Sequence, residues 1–132
     1  MSPLTAMYGL GLDSLLACLA IGAHGLSWRE RLRLAGAFGV WDAAATVLGS
    51  FRPHRLPEPP ALVIYLLCAL LLSRAARSNR ALLYALPALL SIDNLFGGAP
   101  ASMALLVGLG SATMAMFGLS LAAACRRVIL ER

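Results

Sequence analysis

Apolar residues run along this chain in long blocks, without the strict alternation of a half-buried strand or the narrow stripe of a surface helix. Five blocks can be drawn, at residues 4–23, 32–51, 61–76, 81–98 and 102–124. Crossing the ~30 Å hydrocarbon layer takes about 20 helical residues, with a range of ~17–25. Four blocks meet that length and 61–76 falls just short of it. The short block opens after Pro59-Pro60, a helix-start signal, and charged stretches flank it on both sides, so it counts as a span. The pattern predicts an all-α integral membrane protein, a single domain over residues 1–132 with about five transmembrane helices.

Composition strengthens that expectation. Hydrophobic residues make up 60% and charged residues 13% of the chain, against roughly 45–50% and ~25% in soluble domains. The net charge is +5, and every basic residue is arginine. A nucleic-acid partner is not expected, because the arginines sit between the apolar blocks or at their edges instead of forming one patch. Nine of them fall in the first and third loops and the tail, and two, Arg52 and Arg55, in the second loop. The positive-inside rule then places the C-terminus in the cytoplasm and the N-terminus outside. The location expected is a bacterial inner membrane, with the lipid bilayer as the first partner. No basic region precedes the first block, so no cleaved signal peptide is expected. Cys18, Cys68 and Cys125 lie far apart in apolar sequence and read as small buried hydrophobes.

The chemistry lies in three acids inside the blocks: Asp13, Asp42 and Asp93. A charge at mid-membrane costs at least ~2.5–3.5 kcal/mol, and no Lys, Arg or His in the middle of a block offsets these, Arg33 and Arg74 standing at block edges. Carboxylates facing one another repel, and a divalent cation or protons would relieve them. Oxygen atoms that suit a hard or borderline cation stand nearby: Thr46 one turn after Asp42, Ser91 and Asn94 beside Asp93, and Ser14 beside Asp13. The bland alternative is that the acids are neutral and tie helices together by hydrogen bonds.

The stretches Leu12-Asp13-Ser14 and Ile92-Asp93-Asn94 lie three spans apart and would cross the membrane in opposite directions, the mark of an inverted repeat. Gly108, Gly110 and Gly118 suggest close helix contacts. Trp28 suits an interfacial anchor, Trp41 a deeper position beside Asp42, and His24 and His54 solvated loops. No nucleophile–base pair or phosphate loop is present, so an enzyme is not expected, and neither is a bound cofactor.

These motifs resemble the manganese efflux pump (MntP-like) family of the lysine-exporter (LysE) superfamily. Leu12-Asp13-Ser14-Leu15-Leu16-Ala17 stands where that family has its first Asp motif. Phe38-Gly39-Val40-Trp41-Asp42 with Leu48-Gly49 matches the second-helix motif, Ser91-Ile92-Asp93 the fourth, and Thr113 with Gly118 the fifth. The run Ser91-Ile92-Asp93-Asn94-Leu95-Phe96 is also similar to the Ser-x-Asp-Asn-x-Phe motif of TerC-type metal exporters.

The resemblance implies a LysE/MntP-like inverted-repeat bundle that exports Mn2+ as cargo past Asp13, Asp42 and Asp93. Family members have six spans, and this chain is expected to be a 3+2 bundle lacking the sixth, which a homodimer would complete. Two other readings stay open: a small amino-acid or organic-cation exporter of the same superfamily, and a non-transporting or degenerate membrane interaction module.

Overall fold

The computed structural model describes residues 14–22, 24–51, 67, 70, 71, 74, 78–96 and 99–132. Asp13 and most of the 61–76 block lie outside these residues. So does the side chain of Asp93, although its place in a helix is described. Helix α1 occupies 14–22 and α2 Trp28–Ser50. A 3-10 turn at Arg80–Tyr84 leads into α3, Ala85–Leu90, and then α4, Ile92–Phe96. A second 3-10 turn, Ala101–Met103, opens into α5, Ala104–Leu130. The described residues contain no strand.

Helix α2 starts four residues before its apolar block because Ser27 and Glu30 form a capping box. The Glu30 amide donates to Ser27 Oγ at 3.3 Å, and the Ser27 amide donates to Glu30 Oε2 at 2.7 Å. Two donors that a helix start leaves unpaired are thereby satisfied. Helix α5 runs two turns past the expected end. Its 27 residues span about 40 Å at 1.5 Å per residue, more than a bilayer core of ~30 Å. Arg126 and Arg127 therefore stand on helical backbone beyond the apolar part.

Block 81–98 is broken where a continuous helix was expected. Pro87 offers no amide and crowds the preceding turn, where the backbone is 3-10. One turn later the Ser91 hydroxyl bonds the Pro87 carbonyl at 2.6 Å, and Ser91 itself separates α3 from α4.

Close approaches fix how the helices run. Built-on Cβ atoms at Gly39 and Gly108 would each lie 2.7 Å from the other glycine's carbonyl oxygen, with Ala112 and Ala43 next in reach, so α2 and α5 are antiparallel. Gly118 abuts Leu15 and Cys18, and Gly22 abuts Ala122, so α1 lies parallel to α5. Arg80 pairs with Glu30, Ser91 reaches Asp42, and Gly49 meets Asn94 and Leu95, so 80–96 runs parallel to α2. These directions are those an alternating path through the bundle requires.

The core between the helices is built from Cys18, Ile21, Leu34, Phe38, Leu83, Leu86, Ala115 and Leu119. Leu105, Leu109 and Phe117 of α5 and Val40 and Leu48 of α2 turn outward, 60–77% exposed. Ala101–Leu130 is long and apolar enough to cross a membrane, the one such helix among the described residues.

One end of the bundle is basic. Arg29, Arg31 and Arg33 stand on the first turns of α2, Arg80 bonds Glu30 at 3.0 Å, and Arg126 lies against Gly25. Gly25 has φ of 69°, and a Cβ there would collide with the Arg126 guanidinium. The guanidinium of Arg31 lies 5.6 Å from the centre of the exposed Trp28 ring. His24, expected in solvent, instead has Nδ1 within 3.0 Å of the Ile21 carbonyl, and its Nε2 is covered.

Candidate functional site

Asp42 lies eight residues from the end of α2 and is only 2% exposed. Two donors reach it from the broken segment across the bundle. Ser91 Oγ lies 2.5 Å and Asn94 Nδ2 2.8 Å from the same carboxylate oxygen, Oδ1. The break at Ser91 makes this possible, because it places the side chains of Ser91 and Asn94 together on Asp42. Gly49, two turns further along the same face of α2, lets the backbone of α4 come close enough for the reach.

Ser91 sits between two acceptors, Asp42 Oδ1 and the Pro87 carbonyl. Its hydroxyl has one hydrogen, so it donates to one of them at a time.

The other carboxylate oxygen, Oδ2, is covered and has no hydrogen bond among the described residues. The Ser111 hydroxyl of α5 lies against the same carboxylate. Ser111 Oγ is in turn 2.9 Å from Ser14 Oγ of α1. All three of these residues are buried, Ser14 to 1% and Ser111 to 2% exposure. A buried polar column thus crosses the bundle from α1 through α5 and α2 to α4. The described residues form one salt bridge, Arg80–Glu30 at the basic end, and none at Asp42.

Five of the seven residues read from the sequence as cation ligands have described side chains, and four of those belong to this column: Asp42, Ser91, Asn94 and Ser14. Thr46 is buried beside it, but its hydroxyl donates back to the Asp42 backbone carbonyl at 2.8 Å. Asp13 and the Asp93 carboxylate lie outside the described residues, and among those described there is no group of three or more His, Cys, Asp or Glu side chains. Trp41, expected deep beside Asp42, is 48% exposed and faces outward. Exposed Trp28 stands at the basic end of the bundle.

Ser111 is the residue that the sequence reading passed over. Its signal was present: it is the polar member of the series Gly108, Ser111, Ala115 and Gly118, one face of α5 at helical spacing, and all four are buried.

Comparison with family models, curated proteins and solved structures finds no match for this chain.

Proposed function

We propose that the chain is a small secondary transporter of a bacterial inner membrane that exports a divalent cation, Mn2+ foremost. One observation carries this reading: a carboxylate with 2% exposure stands midway along an apolar bundle, with one oxygen unbonded and no cationic side chain beside it among the described residues. Such a group is expensive in a membrane and is kept where it handles an ion. The outward apolar band on α2 and α5 supports a lipid-facing surface. Asp13 and Asp93 complete the proposed path, and exchange of metal for protons would accompany rocking of the two inverted units.

Export of amino acids fits less well, since a substrate carboxylate would need a cationic partner near Asp42. A docking module built on the α5 glycines is also disfavoured, because Gly108 and Gly118 meet α2 and α1 within the chain.

The test is manganese content and survival of an exporter-deficient bacterial host in high Mn2+. Wild type should lower cellular manganese and protect the cells, and Asp42→Asn should do neither. Equal protection by the two would sink the proposal.

A further inference from the structure

We propose that the outward face of α2 at the basic end is a seat for one anionic phospholipid, with its phosphate on Arg29 and Arg33 and an acyl chain along Leu32, Gly36 and Val40. The inference rests on the reading of the bundle as membrane-embedded and not on cation export.

The register of α2 sets these residues in line. Arg29 and Arg33 stand one turn apart, and Gly36 and Val40 follow at the three- and four-residue steps that keep to one helix face. All four are exposed, as is Leu32 beside them. The opposite face, with Leu34, Ala35, Phe38 and Asp42, is buried in the bundle. The outward face thus passes from two guanidinium groups to apolar surface within roughly 5 Å of helix rise, from Arg33 to Gly36. Gly36 has no neighbour within 4 Å, so a shallow notch lies below the arginines, between Leu32 and Val40. A phospholipid presents its charged and apolar parts in the same order. A soluble phosphate would match the arginines alone and leave the notch unused.

Charge selects among lipids. Glu30, the acid on the same turn, is held by the Ser27 amide and by Arg80. Arg29 and Arg33 have no acidic partner among the described residues. Two guanidinium groups without counter-ions favour a headgroup of net negative charge over a zwitterion, whose own amine they would repel. Trp28 fixes the depth. Its ring is exposed, with the Arg31 guanidinium 5.6 Å from its centre, and an exposed indole on a membrane helix settles at headgroup level. Arg29 is the next residue and Arg33 follows one turn later, and long arginine side chains reach back to the interface.

Quenching of Trp28 reads the lipid at this face. The full chain carrying Trp41→Phe keeps Trp28 as its single indole. It would be reconstituted into phosphatidylcholine vesicles, with circular dichroism as the check on helicity. Phosphatidylglycerol or phosphatidylcholine brominated high on the acyl chain is then added in steps, and the quenching gives their relative affinities. The parent should prefer the anionic lipid. At about 1 kcal/mol per basic residue near a membrane surface, Arg29→Gln and Arg33→Gln should each lower that preference about fivefold. The double variant should show none, and Arg127→Gln, which takes a charge from α5 instead, should keep the parent's preference.

The seat is overturned if the parent shows no preference, or if Arg127→Gln lowers it as much as Arg29→Gln does, the mark of a diffuse positive surface. A parent chain that fails to enter vesicles overturns the membrane reading and the seat together. A clear preference with no manganese export by wild type in cells overturns the export reading and leaves the seat standing.

Discussion

Asp42 is held by what reaches it from elsewhere in the bundle, and its substitutions should separate holding from handling. Asp42→Ala removes the oxygen that the Asn94 amide reaches at 2.8 Å, and losing a buried hydrogen bond to a charged group costs roughly 1–3 kcal/mol. Ser91 suffers less, because its hydroxyl still has the Pro87 carbonyl. Asp42→Asn keeps the shape, can still offer a carbonyl oxygen to Ser91 and Asn94, and turns its own NH2 toward Ser111. Equilibrium unfolding in mixed micelles should show Asp42→Asn near wild type and Asp42→Ala clearly weaker, although both lose export. The importance of Asp42 was legible because an acid inside an apolar block has few uses. Its partners were only partly legible. Sequence spacing finds neighbours on the same helix, such as Thr46, whereas Ser91, Asn94 and Ser111 come from segments 49 to 69 positions away and reach Asp42 only through the turn at Ser91 and the pairing of α2 with α5.

At the scale of the element, glycines divide into two kinds that composition cannot distinguish. Gly36 on α2 has no neighbour within 4 Å, so Gly36→Ala should stabilise by about 0.5–1 kcal/mol through helix propensity. Three residues on, a Cβ at Gly39 would stand 2.7 Å from the Gly108 carbonyl oxygen, which is backbone and cannot move aside. Gly39→Ala should therefore destabilise by roughly 1–3 kcal/mol. Thermal unfolding of the two variants beside wild type decides whether the seam is as close as described.

The start of α2 makes a second prediction at this scale. The Ser27 amide bonded to Glu30, then the Ser27 hydroxyl and Arg80, hold the Glu30 carboxyl below its ordinary 4.5. A carboxyl lowered in the folded state adds stability above about pH 4.5 and loses it as pH falls through the lowered value. The gap in stability between wild type and Glu30→Ala should accordingly close in acid. The Ser-x-x-Glu signature of this helix start stands in the sequence, where the edge of the apolar block masked it. The interruption at Ser91 was harder to foresee, since Pro87 alone is compatible with a kink, a 3-10 turn or a first helical turn.

For the molecule as a whole, Arg29, Arg31, Arg33, Arg80 and Arg126, among the arginines that loop counting assigned to one side, stand at one end of the bundle, where Arg80 meets Glu30 and Arg126 meets Gly25. If that end faces the cytoplasm, a C-terminal green fluorescent protein fusion will fluoresce and a C-terminal alkaline phosphatase fusion will be inactive. The reverse pattern would refute the orientation. The relative directions of the described helices were readable from block order, because successive blocks packed side by side in one bundle must alternate. Which helix touches which was not, since apolar blocks are nearly interchangeable at the level of pattern and only the glycines specify the pairing.

That pairing bears on motion. Helices that meet through interlocking leucines must disengage tooth from notch before one can slip along the other. Where Gly39 meets Gly108 the surfaces are bare backbone, closer to a smooth bearing than to a gear. The bonds that Ser91 and Asn94 make to Asp42 lie elsewhere and fasten α2 to α4. A shift of α2 along α5 would therefore carry α4 with it.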